Sequence, residues 1–595
     1  MIVYKAPLKD LRFVLYEILD FEGTVGSLPG YQEAGREVVE SIVEEAGRFC
    51  EKELLVLNRR GDLEGCVLAD GEVRTPRGFK EAYQKFVAAG WPGLACARED
   101  GGQGLPLLLQ FILHEFIAST NLSFGIYAGL TAIAYQLVRC HGSEEQKRLI
   151  LPKLAAGVWS GTMCLTEAHC GSDLGLIRTR AEPGPEGTYR VTGTKVFISG
   201  GEQDLTENIV HMVLARLPQA PAGTSGLSLF IVPKLLFDES GKCGARNRIS
   251  CSSIEQKMGI RASSTCVLNF DGAVGYLVGE PHRGMRIMFT MMNAARLAVG
   301  VQGLGLAETA YQSAAAYAKE RLQGRSLSGP KHQDKPADPI IVHPDVRKTL
   351  LTMRAYTEGA RALVLWIAAA LERAARHPAA AERRAAEELV SLMTPIIKAF
   401  VADIGFEATN RGLQVFGGAG YICATGMEQL VRDARIAQIY EGTNGIQALD
   451  LAGRKLFHEN GRLLRRFFYP ALAFVEENSE ASGLESFVLP LRRSLLRLQE
   501  ATLWLAERGL KDPDEAGAAA TEYLRLFGLA ALGYLWAQSA KVALAKSAAD
   551  RDGFYRAKLA TARFFFSRLL PETEALLAAL QSGAGPITDF REEWF

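Results

Sequence analysis

The hydrophobic period of this chain changes twice. Up to about residue 160 the apolar residues recur at helical spacing. Between about Gly161 and Gly279 they fall in short β-branched or aromatic runs separated by Gly, Pro and Asn clusters. From Gly284 onward the helical spacing returns. A helical block, a β block and a long second helical block cannot share one repeating architecture, so the order predicts an α+β protein, mostly α. We expect four parts: an N-terminal helical domain over 1–160, a middle, mainly antiparallel β domain over 161–279, a four-helix bundle over 280–465 and an extra helical domain over 470–595.

Within the first block, Val38, Val39, Ile42, Val43, Ala46, Phe49 and Cys50 set a helix over Tyr31–Leu57, followed by a polar loop through Gly61, Gly65 and Gly71. Helices are expected over 79–89, 105–135 (buried) and 144–154. The last opens on a Ser143 cap with Gln146 at the capping-box position. In the β block the strand YRVTGTKVFIS is expected to turn at Thr192-Gly193. Met285–Gln323, Val346–Arg376, Glu387–Phe416, and Met427–Ile439 with Ile446–Phe457 supply the bundle, with 326–344 as a loop. Phe468-Tyr469-Pro470 marks a break before helices at 481–509, 514–550 and 553–581.

Composition excludes several classes. Lys+Arg and Asp+Glu both number 67, so the formal net charge is zero and a polyanion is not the expected partner. Ten cysteines without a CxxC pair or a His/Cys cluster at zinc spacing read as reduced thiols, with no metal. The start lacks a secretory pattern, and the longest apolar runs, such as Ala362–Leu371, look too short to span a bilayer. The expected setting is cytoplasmic.

Chemistry concentrates at Arg432–Leu451, RDARIAQIYEGTNGIQALDL. Glu441 sits in a tight break between two helical runs, before a glycine, and Thr443 or Asn444 can cap the second run. A carboxylate there is a candidate base beside helix N–H donors, though a solvated helix corner has the same pattern. Four further stretches are weak when taken alone: MCLTEAHCGSD from Met163, KVFISGG from Lys195, Arg321 at a helix end, and QVFGGAGY from Gln414.

Taken together, LTEAHCGSD, GTKVFISGG, KMGIRASST, QVFGGAGY and RDARIAQIYEGTNGIQ make the chain resemble the acyl-CoA dehydrogenase family over about residues 35–460. Its N-terminal YKAPLKDLRFVL, its DLTENIVHMVLARLP and MMNAARLAVG stretches and its C-terminal extension resemble an extended subgroup. That subgroup includes methylthiopropanoyl-CoA dehydrogenases and long bacterial fatty acyl-CoA dehydrogenases.

The resemblance implies a β-oxidation-type step of fatty acid metabolism: α,β-dehydrogenation of an acyl-CoA to trans-2-enoyl-CoA with FAD. Glu441 would remove the α-proton, its pKa raised when the acyl chain covers it, and Gly442 would give the thioester room. The Glu441 N–H and a flavin ribityl hydroxyl would hold the enolate oxygen. Met163, Leu165 and Thr166 would line the flavin, with Ser172 near it or near the pantetheine. Phe197, Ile198 and Ser199 would pack on the ring. Arg321, Gln414, Gly417 and Gly418 would hold the ADP half across a subunit interface, and Thr443 and Gly445 would also contact FAD. Asn293 and Arg296 match substrate positions.

Some relatives carry their base on that same helix; here Ala295 stands there and cannot act. The chain departs from the family pattern at Ala168 (usually Pro), at Leu322-Gln323-Gly324 (often Phe-Gly) and at Asn293 (commonly Asp). The resemblance also implies electron-transfer flavoprotein as acceptor and a homo-oligomer, a dimer rather than a tetramer. The extension would be a structural bundle; membrane contact through RLLRRFF (462–468) is the less favoured role. An oxygen-using oxidase and a flavin-bearing nucleic-acid binder are the alternatives, and the neutral charge speaks against the second.

Overall fold

The computed structural model describes residues 2–595. It contains two compact units, Glu45–Ala298, and the residues up to Glu44 together with Val299–Phe595. The divisions fall inside two helices, Arg36–Phe49 and Gly284–Glu320.

The Glu45–Ala298 unit is built on a seven-stranded sheet. Its order runs Ile249–Ile254, Thr265–Val278, Tyr189–Ser199, Arg180–Pro183, Asn208–Arg216, Trp159–Cys164, with Leu227–Pro233 bridging Thr265–Val278 and Asn208–Arg216. Most pairings are antiparallel. Asn208–Arg216 is parallel to Trp159–Cys164 and, through Arg216, to Arg180–Pro183. Two strands, Asn208–Arg216 and Leu227–Pro233, are buried on both faces, which explains their near-continuous apolar sequence. Their alternate residues part into two cores. Met212, Leu214, Leu229 and Ile231 meet Leu137, Leu151 and Leu154 of the helices and Met288 and Met291. Val213, Ala215, Phe230 and Val232 meet Val191, Leu268 and Phe270.

Three expectations fail in this unit for packing reasons. Gly61 lies inside the helix Leu55–Glu64, not in a loop, because a Cβ there would come within 2.8 Å of the Phe79 ring. Gly193 does not turn: the Tyr189–Ser199 strand runs straight through it, and a Cβ would sit 2.5 Å from Thr179 Oγ1. The helix expected over 105–135 extends over Leu107–His141 and is interrupted at Asn121 (φ −160°, ψ 86°). Asn121 Oδ1 accepts the Phe124 N–H at 3.1 Å and so starts a second helix. The Ser143–Gln146 capping box is present in both directions.

The second unit is helical. Pro344–Arg376, Ala380–Ile396 continuing through a π turn into Ala402–Phe416, the end of Gly284–Glu320 and Met427–Arg435 make the bundle. The fourth position is not one long helix: after Ile436–Gln438 the chain turns, and Asn444–Leu449 resumes. Pro470 does not break the chain but lies inside Arg462–Glu477. The extension packs on the bundle through Pro513–Lys546, whose Trp536 indole donates to the Ala355 carbonyl at 3.1 Å. Asp10, Glu308, Arg361 and Lys558 form a buried ionic cluster linking the first helix, the bundle and the extension.

Two helices, Leu107–His141 and Ala380–Phe416, are long and apolar enough to cross a bilayer, contrary to the sequence expectation. Both segments are 72% buried inside the protein, as core helices are.

Candidate active site

In the helical unit, Glu441 has φ +58° and Gly442 φ +84°, two successive left-handed residues. For a glutamate this conformation is costly and persists only where neighbours enforce it. The enforcement is visible. Asn444 Oδ1 accepts from the buried Lys398 ammonium at 2.8 Å, and its Nδ2 donates to Asp403 Oδ1 at 2.7 Å and to the Ala399 carbonyl at 3.2 Å. Gln438 donates to the same Asp403 oxygen at 2.7 Å. Burial pushes the Asp403 carboxyl up, against the pull of those hydrogen bonds. Tyr440 donates its hydroxyl to Gln302, and Gln447 donates to the Glu441 carbonyl at 3.2 Å. Thr443, rather than Asn444, caps the following helix by accepting the Ile446 N–H at 3.3 Å. The half-buried Glu441 is therefore gripped by its backbone, on a turn fixed from both sides.

In the sheet unit, a second strained residue stands among the predicted positions. Phe197 has φ +60° and is 62% exposed. It belongs to a bulge: between the pairs Ile198–Cys266 and Lys195–Leu268, Val196 and Phe197 oppose Val267 alone. The bulge turns an aromatic ring to the surface beside buried Ile198 and half-buried Ser199. The adjoining loop is tied to this strand by the Val196 N–H donating to the Thr166 carbonyl at 2.9 Å and by Lys195 Nζ donating to the Leu165 carbonyl at 2.9 Å. Lys195 is fully buried and pairs with Glu167 at 2.9 Å. Burial alone raises the Glu167 carboxyl. Lys195, the Thr179 hydroxyl and the Arg178 N–H outweigh it and hold the group at about 2.

The remaining predicted residues are placed as follows. Met163 and Thr166 are half-buried, Leu165 is buried and Ser172 is exposed on its loop. On the Gly284–Glu320 helix, Arg296 is buried and donates to the exposed Asn293 at 3.3 Å. Arg321 and Gln414 are exposed, as are Gly417 (φ +58°) and Gly418, and a Cβ on either glycine would meet nothing within 4 Å. Gly445 is exposed and Gly442 half-buried. Glu167, His169 and Cys170 bring three potential ligand atoms within 4.8 Å of one another. The Lys195 ammonium already takes the carboxylate, and burial raises the Cys170 thiol, so the group reads as an ion pair with its neighbours.

Lys195, Glu167 and Gln438 stand inside the quoted motifs without a role of their own, and Lys398, Asp403 and Gln302 lie outside them. The only signal was a Lys or Asp inside an apolar run, as in IIKAFVAD.

Four family models match in order: the acyl-CoA dehydrogenase N-terminal domain over 37–158, the middle domain over 162–273, the C-terminal domain over 282–456 and an acetyl-CoA dehydrogenase C-terminal-like region over 467–591. The chain is 44% identical to 3-methylmercaptopropionyl-CoA dehydrogenase of Ruegeria pomeroyi, over 96% of this chain and 97% of that protein. The chain belongs to the acyl-CoA dehydrogenase family. This dehydrogenase is also 33% identical to the broad-specificity linear acyl-CoA dehydrogenase FadE5 of Mycobacterium tuberculosis, over 96% of each chain. Its fold is that of Caenorhabditis elegans ACDH-11, solved with C11-CoA, at a TM-score of 0.78 and 20% identity, over 96% of this chain and 92% of that one.

The dehydrogenase is thus an FAD-dependent oxidoreductase acting on acyl-CoA. Each unit, taken by itself, carries surface of the kind such a cofactor needs. The Phe197 bulge offers a bare aromatic face for a planar ring, and Gly417-Gly418 offer bare backbone that a phosphate can approach.

Proposed function

We propose that this dehydrogenase converts a short linear acyl-CoA, with 3-methylmercaptopropionyl-CoA foremost, to the trans-2-enoyl-CoA, with Glu441 as the base. The observation carrying the role of Glu441 is its left-handed turn, held by Asn444, Gln447 and Tyr440. A carboxylate whose backbone is fixed this firmly keeps one approach to its substrate, which is what proton abstraction at a thioester α-carbon needs. Gly442 leaves the thioester room, and Asn293 and Arg296 orient the acyl-CoA.

Bound FAD would supply the acceptor for the hydride lost from the β-carbon. Met163, Leu165, Thr166, Ser172, Phe197, Ile198 and Ser199 would hold its ring. Arg321, Gln414, Gly417 and Gly418 would hold its ADP half across a subunit interface, with Thr443 and Gly445 as further contacts. The electrons pass on to electron-transfer flavoprotein rather than to oxygen, in the cytoplasm. The 44% identity over nearly the whole chain supports the substrate choice.

The test is anaerobic bleaching of the purified yellow protein with a panel of acyl-CoAs. The expected result is bleaching by 3-methylmercaptopropionyl-CoA and by butyryl-CoA, weakening as the chain lengthens. No bleaching by any thioester would overturn the activity. Glu441→Gln is expected to keep its FAD and lose at least about 10²–10⁴-fold in turnover. Retained turnover would give the proton to another base. Turnover with oxygen equal to that with electron-transfer flavoprotein would make the enzyme an oxidase.

A further inference from the structure

Along the strand Tyr189–Ser199 the odd-numbered positions face the core. Val191 and Lys195 are buried, while Arg190, Thr192 and Thr194 are exposed. A lysine therefore stands where the alternation calls for an apolar residue, with 0% of it exposed. Burying an ammonium is unfavourable unless its charge and its N–H donors are met. Lys195 Nζ donates to Glu167 Oε1 at 2.9 Å and to the Leu165 carbonyl at 2.9 Å.

The two ends of this pair are not equally neutralised. Besides Lys195, Glu167 accepts from the Thr179 hydroxyl at 2.6 Å, the Thr179 N–H at 3.0 Å and the Arg178 N–H at 2.8 Å. Its negative charge is spread over all of these donors, so the ammonium keeps part of its field for the Leu165 carbonyl. That carbonyl belongs to the same peptide unit as the Thr166 N–H. Amide resonance joins the two ends: electron density drawn onto the oxygen leaves the N–H more positive and a stronger donor. The neighbouring groups of the loop are already engaged. The Thr166 carbonyl accepts from the Val196 N–H at 2.9 Å, and the Glu167 N–H donates to the Cys170 carbonyl at 2.9 Å. The Thr166 N–H, on a half-buried residue, donates to no described residue. A buried charge thus strengthens a donor that the protein itself does not use. A core lysine kept for packing alone would do no better than an apolar residue of its size.

We propose that Lys195 is a positioning residue that acts on the flavin ring through the Leu165–Thr166 peptide. Its ammonium strengthens the Thr166 N–H toward a ring atom that gains electron density on reduction, and so favours the reduced cofactor over the oxidised one. This rests on the reading that Leu165 and Thr166 hold the ring. An acceptor gains more from a strong donor as its own charge grows, so the effect falls unequally on the two redox states.

The test compares the wild-type protein with Lys195→Met and with Lys195→Met/Glu167→Gln, which removes both charges so that neither is stranded in the core. Urea denaturation reads folding. Fluorescence quenching titrates the FAD-stripped protein with oxidised FAD. The midpoint potential of the reloaded protein, read against a reference dye, then gives its affinity for reduced FAD. Both variants are expected to lose about tenfold more affinity for reduced than for oxidised FAD, the difference between a charge-assisted and a neutral hydrogen bond. For a two-electron couple that lowers the midpoint potential by about 30 mV. The double variant is expected to recover the stability lost in Lys195→Met without recovering the potential, and it alone decides if Lys195→Met does not fold. A wild-type potential in the double variant overturns the proposal and leaves the ion pair as packing. A wild-type protein that takes up no FAD overturns the proposal together with the reading of the site. A wild-type protein that takes up FAD and bleaches with an acyl-CoA, while the variants keep its potential, overturns the proposal alone.

Discussion

Two residues that the backbone places in unfavourable torsions, Glu441 and Phe197, both belong to motifs that stood out in the sequence. Strain of this kind costs on the order of 1–3 kcal/mol per residue and must be held by its surroundings. Around Glu441 the holder is Asn444, wedged between Lys398 and Asp403. Removing it leaves a buried ammonium and a carboxylate without their shared amide, at a cost of about 1–3 kcal/mol. We expect Asn444→Ala to fold and keep FAD, yet to lose roughly 10–100-fold in kcat with little change in KM, since a base displaced by an ångström misses its proton. An equal loss in KM would mean that the residue serves substrate binding instead. Steady-state kinetics beside flavin absorbance separates the two.

At the level of the element, the strand Tyr189–Ser199 shows how one glycine and one bulge divide the work. Gly193 lets Thr179 close on the strand, and Thr179 donates its hydroxyl to Glu167 at 2.6 Å, which in turn fixes Lys195. The bulge two residues after Lys195 then presents Phe197. Gly193→Ala drives a methyl into Thr179 and is expected to destabilise the fold by about 1–3 kcal/mol, with weaker FAD retention as the Glu167 loop shifts. Urea denaturation and flavin release on dilution measure the two effects. Unaltered flavin release would separate the strand's packing from the loop it braces.

Across the whole chain, buried charge marks where distant segments must meet. Asp10 accepts from Arg361 and from Lys558, and Arg361 also donates to Glu308, so residues as far as 548 positions apart share one cluster. Burial raises the Asp10 carboxyl, but the two cations prevail and keep it below its usual range. Arg361→Met leaves the buried Glu308 carboxylate without its cation and Asp10 with Lys558 alone, and is expected to cost about 3–5 kcal/mol, read by chemical denaturation. A smaller effect would mean that the N-terminal segment docks by its apolar contacts alone.

Acid sensitivity has a named source in the sheet unit. His211 is buried, with Thr162 Oγ1 at 2.8 Å, and burial pulls its imidazole down to about 3. The unfolded chain takes up this proton near pH 6.5 and the folded one does not. Stability is therefore lost as pH falls from about 6.5 toward 3, by about 2 kcal/mol at pH 5. Melting temperatures between pH 7 and 5 should fall less steeply in His211→Gln.

The sequence by itself determined the class of fold, the order of helical and β blocks, the Ser143 capping box and the stretch around Glu441, because each is written in local spacing, capping or an ordered set of motifs. It did not determine that Gly61 and Gly193 sit inside regular elements, since what excludes a side chain there is Phe79 and Thr179, far off in sequence. Nor did it determine that Glu441 and Phe197 are held in left-handed torsions. Lys398, Asp403 and Gln302, which fix the first, and the unpaired bulge, which fixes the second, acquire their meaning only when the chain has folded and brought them against those turns.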